Sequence, residues 1–185
     1  MKHLGTKPME TPRLVLRPFV REDAQAMFDN WASDPAVTKF LSWPTYRNVE
    51  DAHSILNIWL ESYGKPDFYQ WAIVLKELDQ PIGSISVVSF DDRVDTAEIG
   101  YCIGRSWWGQ GIMPEALSAV IAYLFDEVDM QRIEAGHDPN NPASGAVLRK
   151  CGLQYEGILR KRIRSNQGIT DVAWYSILKE EYNLG

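Results

Sequence analysis

Hydrophobic and polar positions alternate along residues 13–19, as expected for a strand with one buried face, and six further segments are strand candidates. Residues 21–31 and 49–63 repeat apolar residues at the spacing of amphipathic helices, and two further helices are predicted in the second half of the chain. The order is strand, two helices, three strands, helix, strand, helix and two strands, which predicts an α/β protein with a mixed sheet. The strand segments are 13–19, 68–75, 82–90, 96–103, 132–135, 155–164 and 169–178, and the helical segments are 21–31, 49–63, 111–127 and a short one from 142.

The two helices of the second half carry the clearest local signals. Residues 111–127 are apolar almost all round, which favours burial against the sheet over a surface position. The short helix begins at Asn141-Pro142, where Asn141 is a typical N-cap and Pro142 suits the first helical position. Gly152 suits the position just after the last helical residue.

Composition narrows the class of protein. The 185 residues favour a single domain over 1–185, and 45% hydrophobic with 24% charged residues is typical of a soluble globular chain. This balance excludes a disordered or fibrous protein. A formal net charge of −6 argues against a protein that coats nucleic acid. No segment resembles a signal peptide or is long enough to span a bilayer, so we expect a cytoplasmic protein with no membrane partner.

The cysteines and the histidine near the short helix predict neither a metal site nor a nucleophilic triad. Cys102 and Cys151 are too few for a disulfide framework, and their separation matches no metal-ligand spacing. A double-displacement reaction through Cys102 would need a lowered thiol pKa, which nothing in the sequence predicts. His137 has no Cys or Ser nucleophile motif around it, so a loop position explains it better than catalysis.

The segment Trp108-Gly109-Gln110-Gly111-Ile112-Met113-Pro114-Glu115 is the strongest candidate for a binding loop. Glycines at alternate positions let the backbone turn tightly and bring its N–H groups close to a ligand. The helix that follows adds unpaired N–H groups and the positive end of its dipole, which suits a pyrophosphate. The loop lacks the residues of a Walker or a Rossmann motif. A plain strand-to-helix turn would explain the glycines equally well.

Four segments together resemble the GNAT acetyltransferase superfamily, and within it the RimJ/RimL-like branch. They are TPRLVLRPF, AEIGYCI, WWGQGIMPEAL and NPASGAVLRKCGLQYEG, in the order and spacing of the family and over nearly the whole chain. The resemblance implies a mixed, mostly antiparallel sheet of six to seven strands with about four helices. It further implies that the sheet is splayed between its fourth and fifth strands, with acetyl-CoA lying in the split.

The resemblance also implies roles for individual residues of the donor site. The loop would hold the pyrophosphate through Trp108, Gly109, Gln110, Gly111, Ile112 and Met113, mainly by backbone N–H groups because Pro114 has none. The backbone N–H near Ile103 would form the oxyanion site. Asn141 would bind the pantetheine arm, and the Ser144 hydroxyl would support the CoA sulfur. An N-cap and an ordinary first-turn serine are the structural alternatives for the last two.

Acetyl transfer to an amine needs a base for the ammonium proton, donors for the oxyanion and support for the leaving thiolate. Glu98 is the candidate base, because alternation puts it on the same strand face as Gly100 and Cys102. The resemblance places a carboxylate there beside the acceptor site, acting directly or through water. A structural ion pair is the alternative for Glu98, and Asp171 and Glu156 are weaker substitutes.

The predicted function is therefore an acetyl-CoA-dependent N-acetyltransferase in which a neutral primary amine attacks the thioester directly. A non-catalytic acyl-CoA sensor and a nucleotide-binding domain are the alternatives. The sequence leaves the acceptor open among a protein N-terminus, a polyamine, an amino acid and an antibiotic. Trp43, Tyr46 and Trp71 are candidates for the wall of an acceptor pocket, with core packing as the alternative. The oligomeric state is also open, and a homodimer is the commonest assembly.

Overall fold

The protein forms one eight-stranded sheet with helices on both faces. A computed structural model describes residues 2–184. The strands are β1 (Met9–Glu10), β2 (Leu14–Arg17), β3 (Gln70–Leu75), β4 (Gln80–Asp91), β5 (Thr96–Ile103), β6 (Arg132–His137), β7 (Gln154–Ser165) and β8 (Gly168–Leu178). The helices are α1 (Ala24–Met27), α2 (Pro35–Thr38), α3 (Val49–Ser62), α4 (Ile112–Asp126), α5 (Pro142–Lys150) and α6 (Lys179–Tyr182).

All seven predicted strand segments form strands of this sheet, and three of the four predicted helices form as single helices. The helix expected over 21–31 is instead divided into a 3₁₀ turn, α1 and a π-helical turn over Phe28–Ala32. Ser33 supports the wide turn, because both its N–H and its hydroxyl donate to the Phe28 carbonyl, at 3.2 and 2.7 Å. The short elements β1, α2 and α6 were not predicted.

The strands follow the order β1-β2-β3-β4-β5-β6-β8-β7. Neighbours are antiparallel except β5 and β6, which are parallel and pair only from Thr96 to Glu98 against Arg132 to Glu134. Beyond Glu98 the two strands separate. This confirms the expected mixed sheet and its splay, since β5 and β6 are the fourth and fifth of the predicted strands.

The core lies on both faces of the sheet. Along β3, Trp71 and Ile73 pack on the face covered by α4, whereas Ala72 and Val74 pack on the face covered by α1 and α3. Helix α4 buries nine of its fifteen residues, which confirms the expected burial. Trp71 is fully buried and donates its indole N–H to the Lys7 carbonyl at 2.7 Å. The suggestion that Trp71 walls an acceptor pocket is therefore wrong. Its side chain points to the face covered by α4, whereas the other two candidates, Trp43 and Tyr46, pack on the face covered by α1 and α3.

Within residues 2–184, none of the helices combines the length and the apolar character that a membrane span requires.

Candidate active site

A cavity of about 320 Å³ opens where β5 and β6 separate. The end of β5, the loop before α4, the first turn of α4 and the first turns of α5 surround it. Its lining includes Ile103, Trp108, Gly109, Gly111, Ile112, Met113, Asn141 and Ser144. We call it the donor cavity. The split of the sheet thus brings together every residue predicted to hold acetyl-CoA except Gln110.

The glycine loop has the backbone conformation that its sequence predicts. Gly109 and Gly111 adopt φ values of 72° and 74°, a left-handed conformation that side chains disfavour. The buried side chains of Ile112 and Met113 fix the start of α4. Their N–H groups belong to the first helical turn, where amides have no intrahelical partner. These amides and the helix dipole make the loop end of the donor cavity suitable for an anion.

Trp108 and Gln110 shape the loop through their side chains. The Trp108 indole N–H donates to the Ile103 carbonyl at 2.9 Å, although the ring is about half exposed. The Gln110 amide donates to the Ser106 carbonyl at 2.8 Å. Gln110 therefore braces the loop through its side-chain amide.

An ion pair that the sequence does not reveal holds the loop from outside. Glu115, in the first turn of α4, accepts from the Arg13 Nε at 2.7 Å and from the Thr11 hydroxyl at 2.6 Å. The Arg13 guanidinium also donates to the Gln110 carbonyl at 2.8 Å. Burial raises the pKa of Glu115, but the bonds from Thr11 and Arg13 outweigh it, and the pKa is lowered on balance. Glu115 is thus an anion, neutralised by Arg13, close to the proposed phosphate site.

Ile103 directs its amide toward the split. The Gly104 N–H donates to the Ile82 carbonyl at 2.8 Å, so the adjacent pair Gly83–Ile103 falls at a non-hydrogen-bonded position of the β4–β5 ladder. At such positions the backbone groups face away from the partner strand. Since β6 has diverged at this level, the Ile103 N–H is a suitable donor for an oxyanion.

Ser144 and Tyr101 meet at the far end of the donor cavity. The Tyr101 hydroxyl lies 2.9 Å from Ser144 Oγ and 3.1 Å from the Ser144 carbonyl oxygen, to which it donates. Burial raises the pKa of Tyr101, so this hydroxyl stays protonated. Asn141 precedes α5, but its side chain makes no capping hydrogen bond. Asn141 thus occupies the predicted N-cap position of α5 but makes no capping bond, and its side-chain amide is available to a ligand.

A second cavity of about 300 Å³ lies on the other face of β5, between the sheet and the segments 27–46 and 55–59. It shares Leu41, Tyr101 and Cys102 with the donor cavity, so the two adjoin at the level of Ser144. Two of the aromatic candidates, Trp43 and Tyr46, line it together with Trp31 and Trp59. We call it the acceptor cavity.

Glu98 lies on the acceptor face of β5 but is not among the residues that line either cavity. It accepts a hydrogen bond of 2.7 Å from the Ser89 hydroxyl on β4. Gly100, the next residue on the same face, lines the acceptor cavity, and two residues of a strand span roughly 7 Å. Glu98 therefore lies beside the cavity rather than in it, about 7 Å along the strand from a lining residue.

The two substitute carboxylates are engaged elsewhere. Glu156 forms an ion pair with Arg132, at 2.7 and 2.8 Å, and accepts from the Ser176 hydroxyl at 2.6 Å. These bonds lower the pKa of Glu156 to about 2, which makes it a weak base. Asp171 accepts from the Lys161 N–H at 2.9 Å in the β7–β8 hairpin.

Cys102, Cys151 and His137 provide no nucleophile. Burial raises the pKa of both thiols, so neither has the lowered pKa that a covalent route would need. His137 is the last residue of β6 rather than a loop residue, and its Nδ1 hydrogen-bonds the Asp138 carbonyl at 2.8 Å. Within residues 2–184, no three His, Cys, Asp or Glu side chains lie close enough together to hold a metal ion.

The chain is similar in sequence to known acetyltransferases. Residues 13–154 match the family profile described as "Acetyltransferase (GNAT) domain". The chain is 34% identical over 172 residues to the "Uncharacterized N-acetyltransferase p20" of Bacillus licheniformis, a match that covers 93% of this chain and 96% of that protein. It is 31% identical over 139 residues to the ribosomal-protein-serine acetyltransferase of Escherichia coli (strain K12), covering 74% of this chain and 75% of that protein.

A solved structure shares the fold. It is that of the microcin C7 self immunity acetyltransferase MccE in complex with acetyl-CoA and AMP. The TM-score is 0.82 at 23% identity, over 91% of this chain and 93% of that one.

Proposed function

The chain belongs to the GNAT acetyltransferase family, in its RimJ/RimL-like branch, and we propose that it transfers the acetyl group of acetyl-CoA to a primary amine between its two cavities. The observation that carries this proposal is the junction of the cavities at Tyr101 and Cys102, beside Ser144. A donor thioester ending there would face an amine held on the opposite side of β5. A single binding cavity would suffice for a sensor, whereas transfer needs two.

The residues of the donor cavity suit acetyl-CoA, which supplies the acetyl group as a thioester. The amides of 109–113 and the dipole of α4 would bind the pyrophosphate. The free side-chain amide of Asn141 would bind the pantetheine arm, which carries amide groups of its own. The roughly half-exposed ring of Trp108 would cover the loop end of the cavity.

In the proposed reaction the amine nitrogen bonds to the acetyl carbon, the carbon–sulfur bond breaks, and the amine loses a proton to Glu98 through water. The Ile103 N–H would stabilise the oxyanion that forms on the way. The Ser144 hydroxyl would hydrogen-bond the departing thiolate. Tyr101 donates to the Ser144 carbonyl and lies 2.9 Å from Ser144 Oγ, so it positions this residue, and the serine proton would turn from the tyrosine oxygen to the sulfur as the thiolate forms.

The amine of a protein N-terminus is the acceptor favoured by similarity, because the E. coli relative is named a ribosomal-protein-serine acetyltransferase. The acceptor cavity, of about 300 Å³, is large enough for the first residue of a peptide and too small for a folded partner. A small-molecule amine would fit in the same place.

Release of free thiol from acetyl-CoA in the presence of primary amines tests this function. We expect Glu98→Gln to lower kcat by about 100-fold and Ser144→Ala by about 10-fold, with the Kd for acetyl-CoA unchanged in both. Ser118→Ala is the matched control, since Ser118 is an exposed serine of α4 outside both cavities. A protein that binds acetyl-CoA but releases no thiol with any amine would be a sensor, and the proposal would fail.

A further inference from the structure

One segment of the chain forms part of both cavities. Residues 39–46 follow α2 and lead to α3, and we call them the strap. Phe40 and Leu41 line the donor cavity, and four strap residues between Leu41 and Tyr46 line the acceptor cavity. The position of the strap therefore affects the shape of both cavities, and that of the acceptor cavity most.

The strap has few bonds of its own. It contains no helix or strand, and the side chains of Phe40, Leu41 and Trp43 are only half-buried. The Leu41 N–H donates to the Thr38 carbonyl at 2.9 Å, which closes a single local turn. A segment with so few internal bonds and so little buried apolar surface opens easily unless another element holds it.

Asn166, at the tip of the β7–β8 hairpin, holds the strap by three backbone carbonyls. Its own N–H donates to the Leu41 carbonyl at 3.0 Å, and its side-chain amide donates to the Thr38 and Trp43 carbonyls at 2.9 and 2.8 Å. Asn166 thus directs all of its N–H donors to this part of the chain. Among the described residues, no other one beyond residues 34–46 hydrogen-bonds to residues 39–43.

The hairpin is a firm support for this contact. Its strands, of 12 and 11 residues, pair up to Ser165 and Gly168, so that Asn166 and Gln167 alone form the turn. Ser165 is buried, and its hydroxyl oxygen accepts from the Gln167 N–H at 3.1 Å. Since β8 also pairs with β6, the tip that carries Asn166 is anchored in the main sheet.

We propose that Asn166 is a positioning residue for the acceptor, which sets the shape of the acceptor cavity by fixing the strap although it lines neither cavity itself. The proposal rests on the proposed acetyl transfer and adds to it a residue that acts from outside the site. Without the side-chain bonds the strap would be free to move, and binding of the amine would have to order it. The donor cavity depends on Asn166 less, because the loop before α4 and α5 itself supply most of its lining.

Two variants of Asn166 remove the contact in different ways. Asn166→Ala deletes both side-chain bonds and keeps the backbone bond to Leu41, whereas Asn166→Asp keeps the shape but puts an oxygen where the amide donates. Gln167→Ala is the matched control. Gln167 is an exposed amide in the same turn, and its side chain hydrogen-bonds no other described residue.

Thiol release measures KM for the best of three amines, L-phenylalaninamide, spermidine and the peptide Ser-Ala-Ala-Ala. We expect both Asn166 variants to raise KM for the amine about tenfold, with kcat within about twofold and the Kd for acetyl-CoA within about threefold of the unmodified protein. Gln167→Ala should change none of these values. A loss of folded protein alone would lower kcat and leave KM unchanged, so this split distinguishes positioning from stability.

Hydrogen exchange followed by mass spectrometry tests the contact without any amine. We expect the amides of residues 39–46 to exchange about tenfold faster in both Asn166 variants than in the unmodified protein or in Gln167→Ala.

The outcomes separate this inference from the proposed function. Unchanged KM in both Asn166 variants would overturn the positioning role and leave acetyl transfer standing, whether or not the strap exchanges faster. Raised KM without faster exchange would overturn the strap as the link. Absence of thiol release with every amine, despite acetyl-CoA binding, would overturn the proposed function and the positioning role with it.

Discussion

Arg13 neutralises a carboxylate that would otherwise repel the phosphates of the donor. It pairs with Glu115 at 2.7 Å and holds the Gln110 carbonyl at 2.8 Å, so it acts on both the charge and the shape of the loop. Without Arg13, the negative charge of Glu115 would lie at the end of α4 that should attract an anion.

We therefore expect Arg13→Gln to weaken acetyl-CoA binding about fivefold, which corresponds to roughly 1 kcal/mol. The double variant Arg13→Gln/Glu115→Gln should recover most of this loss, because it removes the unpaired carboxylate as well. Arg93→Gln is the matched control, since Arg93 forms an exposed pair with Asp91. Calorimetric titration measures all four proteins, and a double variant as weak as the single one would refute the electrostatic explanation.

The roles of some single residues could be predicted from the sequence, and those of others could not. The tight turn at Gly109 and Gly111 was predictable, because alternate glycines before a helix indicate backbone conformations that other residues disfavour. Tyr101 was not, since its contact with Ser144 joins residues that are 43 positions apart. The three candidate aromatic residues could not be separated either. Trp43 and Tyr46, in the segment between α2 and α3, line the acceptor cavity, whereas Trp71 faces the core because of its register in β3.

At the scale of elements, the loop before α4 depends on its left-handed glycines. Replacing Gly111 by alanine should lower the free energy of unfolding by about 1–2 kcal/mol, because φ is 74° there. The new methyl group has space, with Arg13 Nη2 as its nearest neighbour at 3.6 Å, so strain rather than collision causes the loss. Acetyl-CoA binding should weaken in parallel, since the loop amides would move.

Gly64→Ala provides the control for this prediction. Gly64 has no left-handed φ, and a methyl group there meets nothing within 4 Å. Chemical denaturation should find the unfolding free energy of Gly64→Ala within about 0.5 kcal/mol of the unmodified protein. Equal losses in the two variants would show that the loop conformation has no special role.

An ion pair between β6 and β7, which lie on either side of β8, predicts a pH dependence of stability. Arg132 on β6 binds Glu156 on β7, and Ser176 on the intervening β8 binds the same carboxylate. The pKa of Glu156 is lowered from 4.5 to about 2, first by the bond from Arg132. A lowered pKa in the folded protein gives stability above pH 4.5 that is lost as the pH falls toward 2.

The expected contribution is about 1 kcal/mol at pH 7, since the 41% exposure of Glu156 screens the pair. Glu156→Gln should remove that part of the stability change between pH 5 and pH 2.5. Denaturation curves at several pH values test this, and Glu180→Gln, at an exposed position of α6, is the control. A variant with the same pH profile as the unmodified protein would contradict the prediction.

The elements themselves were largely predictable, and their exceptions have local causes. The strand segments, the amphipathic spacing of 49–63 and the apolar character of 111–127 identified all the long elements. The predicted helix over 21–31 failed as one unit because Ser33 and Phe28 form a wide π turn that apolar spacing does not reveal. Strand β1 has two residues and α6 has four, which is too short for any periodic signal.

At the scale of the molecule, function follows from an interruption of the sheet. β5 and β6 pair over three residues and then part, which opens the donor cavity and frees the Ile103 amide. The second cavity lies on the opposite face of β5, so in the proposed reaction the strand itself would separate the two substrates until they meet at Tyr101. The order of elements predicted the mixed sheet and the family resemblance predicted the split with its donor residues, but the shape of the acceptor cavity depends on side chains from distant segments and could not be predicted from the sequence.

Calorimetric titration of the protein with acetyl-CoA tests the central claim most directly, with CoA and ADP as comparison ligands. We predict one site with micromolar affinity for acetyl-CoA, similar affinity for CoA, which shares the pyrophosphate and the pantetheine arm, and weaker binding of ADP, which lacks that arm. Binding of ADP as tight as that of acetyl-CoA would indicate a nucleotide site, and no binding of acetyl-CoA would contradict the assignment of the donor cavity.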